Sequence, residues 1–272
     1  MKNIIIMCVV IIGLSYLNAS ELSNYIKNDT DMSVYFPKSQ VSKGKVSYGI
    51  DGLRIEETFE IKLEKNENGN VTMNKTGYNL DGKLASKTIF HFDKTLRTLK
   101  NYVQIFNIEI IKKIKWDTLI AEISGDNRNF TINNYKQGAK VNASRSLVLD
   151  NNTVYMDTIK VFLLGCLNKG IRNFNADLIV DSQNIKIPVE FELVRTKNLL
   201  TLSPEYKDVP DFFVKNSVSD EEFFVYIFKF SGIAWAFYPY RFYVAYKKDP
   251  SYKYAAYWGE DPKNAVFEMI EK

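Results

Sequence analysis

The sequence has very few of the residues that most metal and nucleophile chemistry requires. Its 272 residues include one histidine and two cysteines. Zinc sites draw their ligands from Cys, His and acidic side chains in closely spaced groups, so we expect no metal site here. The net charge of +4 is small and offers no basic stripe of the kind that nucleic acids bind. We therefore predict no metal, no other cofactor and no nucleic-acid partner.

Signature motifs of common enzymes are missing as well. There is no P-loop, no GxGxxG between a strand and a helix, and no GxSxG elbow to accompany the single histidine, His91. His91 lies between two phenylalanines in a predicted strand, which favours a solvent-facing position over a catalytic one. Adjacent acids such as Glu56 and Glu57 point to opposite faces of a strand and do not form a catalytic pair. We predict a protein that is not an enzyme.

The N-terminus has the layout of a secretory signal peptide. Lys2 supplies a positive charge, residues 4–14 form an apolar run, and small residues follow at Ala19 and Ser20. The run is shorter than the roughly 20 residues that span a bilayer, and no second long run follows. We predict a signal peptide over 1–19, with an uncleaved anchor as the alternative. The mature chain should be secreted, in the periplasm of a Gram-negative-type bacterium, and not an integral membrane protein.

The cysteine content limits how the fold is stabilised. Cleavage of the signal removes Cys8 and leaves Cys166, so no internal disulfide can form. The apolar surroundings of Cys166 predict a buried, unreactive thiol. Stability must come from the core, for which a chain of this length has enough apolar material. We expect residues 20–45 to form a flexible arm and 46–272 a single β-rich domain.

Most of the chain alternates apolar and polar residues with the period of two that is typical of half-buried strands. The alternation is clearest over 53–64, where Glu57 breaks the apolar side; it indicates either a bulge or strand end, or a carboxylate at a cavity mouth. Pro188 cannot donate a ladder hydrogen bond, so its strand should lie at an edge or carry a bulge. Strands are also expected at 71–79, 83–93, 96–106, 130–135, 174–180, 185–193, 235–247, 252–258 and 265–270.

Residues 157–169 predict a helix that is apolar nearly all round and therefore buried against the sheet. Asp157 can cap its start and Gly170 can end it in the left-handed conformation.

The sequence leaves the secondary structure of two segments undecided. Residues 107–124 fit two strands but not cleanly, and 221–230 fit either a helix with a Ser219–Glu222 capping box or a strand. Residues 203–220 read as a long loop.

Aromatic side chains are concentrated between positions 235 and 258. Either they form β core with an amphipathic surface, or they line an apolar ligand cavity. The candidate ligand-binding residues, drawn from this stretch and from the predicted core, are Phe162, Phe174, Phe191, Trp235, Phe237, Tyr240 and Phe242.

The order of elements and the stretch YPYRFYVAYKKDPSYKYAAYWGEDPKN, residues 238–264, resemble an uncharacterised bacterial periplasmic family of unknown function. That family is similar in shape to lipoprotein carriers of the LolA/LolB type. The resemblance covers residues 46–272. It implies a mainly β fold: a curved antiparallel sheet, or unclosed barrel, with one or two helices covering its concave face. It carries over no catalytic residues.

Three functions follow as hypotheses. The first is binding of a lipid or other hydrophobic ligand in the cavity of a curved sheet. The second is a structural or protein-interaction module of the cell envelope, with an envelope protein as partner and a core filled by its own side chains. The third is a hydrolase, which needs acids or His91 to converge in a pocket. The size and lining of the largest cavity should distinguish them.

Overall fold

The computed structural model describes residues 31, 33–50, 53–94, 98–124, 129–141, 145–148, 153–180, 185–249, 251–261 and 265–271. The predicted signal peptide lies outside these residues, as does the part of the predicted arm before residue 31. Within the described residues, no helix has the length and apolarity needed to cross a membrane.

The described strands belong to one large sheet in which nearly all neighbours run antiparallel. Its order is β10-β11-β12-β13-β14-β15-β16-β1-β2-β3-β4-β5-β6-β7-β8, with β9 also paired to β7. The strands are β1 (Ser39–Ile50), β2 (Leu53–Lys65), β3 (Val71–Asn79), β4 (Leu84–Phe92), β5 (Thr98–Ile105), β6 (Thr118–Ser124), β7 (Asn129–Lys136), β8 (Ala139–Lys140), β9 (Arg145–Val148), β10 (Thr153–Tyr155), β11 (Asn173–Val180), β12 (Ile185–Asn198), β13 (Val218–Phe230), β14 (Arg241–Asp249), β15 (Ser251–Gly259) and β16 (Val266–Ile270).

Among the described strands, the two ends of this sheet meet through side chains and not through a strand pair, so the sheet is curved and unclosed. Tyr155 of β10 and Ile179 of β11 pack in one buried cluster with Phe130 and Ile132 of β7. The rings of Tyr155 and Phe130 lie 4.9 Å apart, edge to face. Asn101 of β5 donates to the Tyr155 hydroxyl over 3.0 Å. The predicted fold class, a curved antiparallel sheet, is confirmed.

Four short helices accompany the described strands: α1 (Ile108–Ile114), α2 (Ile159–Asn168), α3 (Asp211–Asn216) and α4 (Ile233–Phe237). The helix α2 packs into the main core on the inner face of the sheet, because almost every side chain along it is apolar and buried. It ends as predicted at Gly170, whose φ of 75° is the left-handed conformation that glycine adopts without strain. It begins later than predicted, after a 3-10 turn at Met156–Thr158, with Thr158 at the N-cap instead of Asp157.

The outer face of the sheet carries a second core. A segment running from a 3-10 turn at Leu199–Leu202 through α3 lies against strands β13 to β16. Phe213 of α3 packs on Trp258 and Phe267, with ring separations of 5.4 and 5.2 Å. The Trp258 indole donates to the Ser203 hydroxyl over 2.8 Å. The loop expected at 203–220 therefore includes a helix and the start of β13.

The structure decides between the alternatives for the two open segments and corrects two local expectations. Residues 221–230 adopt the strand alternative, since β13 hydrogen-bonds to β12 on one side and β14 on the other. The segment 107–124 holds α1, capped by the Asn107 side chain, and then β6. Residues 39–45, expected in the arm, belong to β1, and residues 235–237, expected at the start of a strand, lie in α4.

Pro188 does not mark a sheet edge. Its strand β12 lies between β11 and β13, and no register shift occurs at Pro188. Pairing with β13 stops one residue away, at Val189 and Phe230, and the Pro188 carbonyl accepts from the Ser231 amide over 2.9 Å. A residue without an N–H is tolerated here because the ladder ends beside it.

Candidate functional site

A cavity of about 1050 Å³ lies on the inner face, between the helix α2 and strands β1 to β5, β15 and β16. Its wall is formed largely by apolar side chains from four parts of the chain. The helix contributes Ile159, Val161 and Leu164, the first strands contribute Ile61, Leu63, Met73, Phe90 and Val103, and the last strands contribute Tyr252, Tyr254, Tyr257 and Ile270. Val34, Phe36 and Val41 also line it, and Val34 and Val41 are exposed to solvent.

The size and chemistry of this cavity match a small-molecule site. Pockets that bind organic ligands measure about 300–1,000 Å³ and are mostly apolar, with a few convergent polar groups. The cavity is open to solvent on one side, so a ligand can enter it without unfolding the sheet. Thr88 of β4 and Ser42 of β1 point into the cavity and add small polar positions to its wall.

One buried carboxylate forms the polar centre of the wall. Glu268 of β16 is 3% exposed at its side chain and accepts from Lys75 Nζ at 2.6 Å and Lys160 Nζ at 2.7 Å. The hydroxyl of Tyr254 donates to the same carboxylate at 2.7 Å. These groups come from β3, α2, β15 and β16, and all four line the cavity. We call Lys75, Lys160 and Glu268 the charged triad.

Nearby positive charges determine the protonation state of Glu268. Burial alone would raise the pKa of Glu268, but the positive charges of Lys160 and Lys75, together with their hydrogen bonds, hold this pKa well below its ordinary value of 4.5. Glu268 is therefore an anion at neutral pH. Two ammonium groups share one carboxylate, so the triad has a formal charge of +1.

Two further ionisable side chains lie on the cavity wall. Burial, with the nearby Asp261 as a second cause, raises the pKa of Glu260 from 4.5 to about 7. Glu260 is thus partly neutral at neutral pH. Lys253 is exposed and adds a positive charge at the wall. Among the described residues that line the cavity, three lysines face two glutamates, and the balance is positive.

Glu57 is a second buried carboxylate. It lies on the face of β2 that also carries Ile61 and Leu63, but it is not among the residues that line the cavity. It accepts from the Tyr48 hydroxyl at 2.5 Å and from Ser86 at 3.4 Å. Gly77 leaves the room it needs, because a β-carbon there would lie 2.8 Å from a Glu57 oxygen. The strand β2 pairs with β1 on both sides of Glu57 without a register shift, so there is no bulge here, while its pairing with β3 ends at Glu57 and Asn79.

The seven predicted ligand-binding residues lie in the described part of the chain, and none of them lines the cavity. Phe162, Phe174, Phe191 and Phe242 are buried within the main core. There Phe174 stacks on Phe191 with ring centres 4.4 Å apart. Their binding role stays a prediction, but their observed contacts are those of core packing.

The other three predicted residues lie around α4. Phe237 is 71% exposed, Trp235 is partly buried beneath the Lys229 ammonium, and Tyr240 packs edge to face on Tyr238 at 4.8 Å. The aromatic stretch as a whole is divided by the pleat of the sheet. Tyr243 and Trp258 stack in the outer core at 4.8 Å, whereas Tyr252, Tyr254 and Tyr257 line the cavity.

Two residues that the sequence analysis considered for chemistry lie away from the cavity wall. His91 is exposed on β4, as expected, and its Nδ1 lies 3.2 Å from the Thr72 hydroxyl. Cys166 is a free, buried thiol in α2, and burial raises its pKa far above the ordinary value, so it is not a thiolate. The described residues contain no group of three His, Cys, Asp or Glu side chains placed to hold a metal.

The sequence analysis missed the charged triad, although a signal for it exists. Glu268 interrupts the apolar run VFEMI, Lys160 interrupts the apolar helix, and Lys75 falls on the inward side of β3 between Met73 and Gly77. Each is a charged residue at a position where the pattern demands an apolar one. The same criterion drew attention to Glu57.

Comparison with known proteins gives a fold likeness. No family model and no curated protein matches the chain. Among solved structures, the chain is similar to a β-barrel-like protein of the domain-of-unknown-function family DUF1849 from Brucella abortus, with 8% identity, a TM-score of 0.47, and coverage of 85% of this chain and 95% of that one.

Two further solved structures are similar over most of their length. A DUF1329 family protein from Desulfovibrio piger has 12% identity and a TM-score of 0.37, over 92% of this chain and 88% of that one. LprF from Mycobacterium bovis has 10% identity and a TM-score of 0.24, over 94% of each chain.

Proposed function

We propose that this protein is a non-enzymatic binding protein that holds a lipid or other long apolar molecule in the cavity beneath α2. The observation that carries the proposal is the cavity itself: about 1050 Å³ of space on the inner face, walled mainly by Ile, Leu, Met, Phe and Tyr. Binding of an apolar chain to such a wall is favourable, because the chain displaces water from apolar surface.

The expected affinity follows from the buried length of the chain. Each buried CH₂ group contributes about 0.8 kcal/mol, so ten of them contribute about 8 kcal/mol, which corresponds to a Kd of about 1 μM. The loss of translational freedom on binding weakens this affinity, and further buried CH₂ groups strengthen it. We therefore expect micromolar binding for alkyl chains of about 12 to 16 carbons.

The predicted signal peptide supports a role in the cell envelope, and we propose the periplasm as the compartment of this protein. The alternative of an interaction module needs a core filled by its own side chains, and the volume of the cavity favours a ligand instead. The hydrolase alternative needs acids or His91 to converge in a pocket. His91 is exposed and outside the wall, and Glu268 is engaged by two lysines.

A pair of variants in adjacent residues tests the proposal. Thr88 lines the cavity, whereas Lys87, next to it on β4, is exposed on the opposite face. Thr88→Phe inserts a ring into the cavity and Lys87→Phe places the same ring outside it. The probe is N-phenyl-1-naphthylamine, a neutral apolar dye whose fluorescence rises on leaving water, displaced by hexadecanol.

We expect the wild-type protein and Lys87→Phe to bind the dye with similar micromolar Kd values, and Thr88→Phe to bind it about tenfold more weakly, a difference of about 1.4 kcal/mol. Lipid extraction and mass spectrometry of the purified protein should show a co-purified amphiphile. A wild-type protein that neither binds the dye nor carries a lipid would refute the proposal. So would a Thr88→Phe variant that binds like wild type.

A further inference from the structure

Five large apolar side chains are exposed together at one end of the sheet. They lie on the turn between β3 and β4 and on the segment that leads from β5 into α1. Leu80 and Ile108 are 71% and 66% exposed, and Tyr78, Leu84 and Phe106 are 36%, 42% and 38% exposed. None of the five lines the cavity. Single exposed apolar side chains are ordinary, but a group of them indicates an interaction site. We call these five residues the apolar tip.

Strand pairing holds the residues of the apolar tip side by side. Tyr78 of β3 pairs with Leu84 of β4, and the turn that joins them contains the most exposed member of the group. The amide of Phe106 donates to the carbonyl of Ala85, next to Leu84, over 2.8 Å. Ile108 follows as the first residue of α1. The five side chains therefore belong to one surface, formed by β3, β4 and the start of α1.

The two most exposed members contribute little to the elements that carry them. Leu80 lies in a tight turn closed by two backbone hydrogen bonds of 2.8 Å, where Gly, Asn, Asp and Ser are the favoured residues. At the start of α1, the Asn107 side chain supplies the cap and Ile110, 5% exposed, supplies the packing. Ile108 does neither. An apolar residue at these two positions argues for a partner outside the fold.

The segments that carry the apolar tip are basic. Residues 78–87 and 106–115 contain five lysines and two acidic residues, which gives a net charge of +3. Each acid forms an exposed pair within its own segment: Asp81 with Lys83 and Glu109 with Lys112, both at 2.8 Å. The surface thus combines protruding apolar side chains with an excess of positive charge. That combination complements an anionic bilayer, where apolar side chains enter the acyl region and ammonium groups reach the phosphates.

From this we infer that the protein docks on anionic lipid bilayers through the apolar tip, with the neighbouring lysines on the lipid head groups. A bilayer suits a surface of this shape, because Leu80 projects from a hairpin turn and Ile108 from a helix start, and a fluid acyl region needs no complementary pocket. The inference goes beyond the proposed function and is independent of it, since the tip residues are not part of the cavity wall.

Sedimentation with large vesicles measures the docking. We expect the wild-type protein to bind vesicles of mixed phosphatidylcholine and anionic phosphatidylglycerol, and to bind pure phosphatidylcholine vesicles about tenfold more weakly. Raised salt should weaken binding to the mixed vesicles. The double variant Leu80→Asp, Ile108→Asp should lower the partition coefficient by about tenfold or more, because it removes the two most exposed apolar side chains and adds negative charge.

A second double variant is the matched control. Val214 on α3 and Val218 at the start of β13 are 44% and 58% exposed, and β13 lies well away from β3 and β4 in the order of strands. Val214→Asp, Val218→Asp changes the net charge by the same amount at exposed apolar positions. It should bind the mixed vesicles within about twofold of the wild-type protein.

A fluorescent label shows which surface enters the bilayer. Leu80→Cys and Val218→Cys, each in a Cys8→Ser background, are labelled with a nitrobenzoxadiazole maleimide, whose emission shifts to the blue in apolar surroundings. The remaining Cys166 is buried, so the label goes to the introduced thiol. On mixed vesicles the label at residue 80 should shift to the blue, and the label at residue 218 should keep the emission it has in water.

The outcomes decide between the apolar tip and its rivals. Equal vesicle binding by the wild-type protein and the Leu80→Asp, Ile108→Asp variant overturns the inference, since binding then occurs elsewhere, such as at the N-terminal apolar run. A blue shift at residue 218 alone overturns it as well. So does a wild-type dimer in analytical ultracentrifugation that the tip variant abolishes while no vesicle binding occurs, because the occupant is then a second copy of the chain. Thr88→Phe, which fills the cavity, should dock like the wild-type protein, so a failure of the proposed function and a failure of this inference are distinguishable.

Discussion

Replacing Glu268 with glutamine tests how much the shared carboxylate contributes to the fold. The amide keeps the shape of the side chain but removes the negative charge that Lys75 and Lys160 both contact. Removing one partner of a buried ion pair costs about 3–5 kcal/mol. The two lysines keep side-chain exposures of 23% and 22%, so water can solvate them in part. We therefore expect a loss near the lower end, about 3 kcal/mol of unfolding free energy.

Urea unfolding followed by circular dichroism measures this loss, with an unchanged m-value as the sign that compactness is unaffected. Glu122→Gln is the matched control, because Glu122 pairs with Lys100 over 3.1 Å with both side chains nearly half exposed. Surface pairs of this kind contribute about 0–1 kcal/mol. Equal losses in Glu268→Gln and Glu122→Gln would refute the claim that burial makes the triad matter.

The difference in unfolding free energy between wild type and Glu268→Gln should depend on pH in a definite direction. Burial raises the pKa of Glu268, but Lys160 and Lys75 outweigh it and hold the pKa below its ordinary value of 4.5. A carboxyl group with a lower pKa in the folded than in the unfolded state adds stability above the unfolded pKa. That stability is lost as the pH falls through the folded pKa. The stability gap between wild type and Glu268→Gln should thus be constant above about pH 6 and narrow below about 4.5; a gap that widens in acid contradicts this.

Three further perturbations concern the rest of the inner face and α2. Tyr48→Phe removes the 2.5 Å hydrogen bond to the buried Glu57 and should cost about 1–3 kcal/mol in urea unfolding; Ser86→Ala, which removes the 3.4 Å partner, should cost less. Gly44→Ala should lower Tm, because a β-carbon there would lie 2.3 Å from a backbone oxygen of β16 and 2.5 Å from a ring of β2; an unchanged Tm would contradict this packing. Cys166 should react with a maleimide only in denaturant, since it is fully buried in α2; fast labelling of the native protein would show that α2 opens readily.

The elements that local sequence predicts well are those whose pattern agrees with their place in the sheet. The strand β2 shows a clean period of two because one face is core and the other is solvent. The buried helix α2 is predicted because its apolar run ends at a glycine suited to the left-handed conformation. The segment 221–230 stayed open between helix and strand because a capping signal is local, whereas its pairing with β12 and β14 joins residues distant in sequence.

The candidate site could not be assembled from the sequence because its members are far apart along the chain. Lys75 and Glu268 are separated by 193 residues, and Lys160 and Glu268 by 108. Their meeting depends on the order of strands, in which β16 lies between β15 and β1, and on the packing of α2 against β14 and β15. The aromatic-rich segments suggested phenylalanines as ligand contacts, and four of these lie in the core instead, since phenylalanine is more often buried than ligand-binding.

The charged triad is a poor device for stability alone, and this argues for a role in binding. Well-packed apolar residues in place of a buried ion cluster often leave a fold as stable as before or more so. The combined replacement Lys75→Met, Lys160→Met and Glu268→Leu should therefore unfold in urea at about the wild-type midpoint, unlike Glu268→Gln alone. It should still bind hexadecanol. A combined variant that unfolds as readily as Glu268→Gln would show that the triad is needed for the fold, and the argument from its cost would fail.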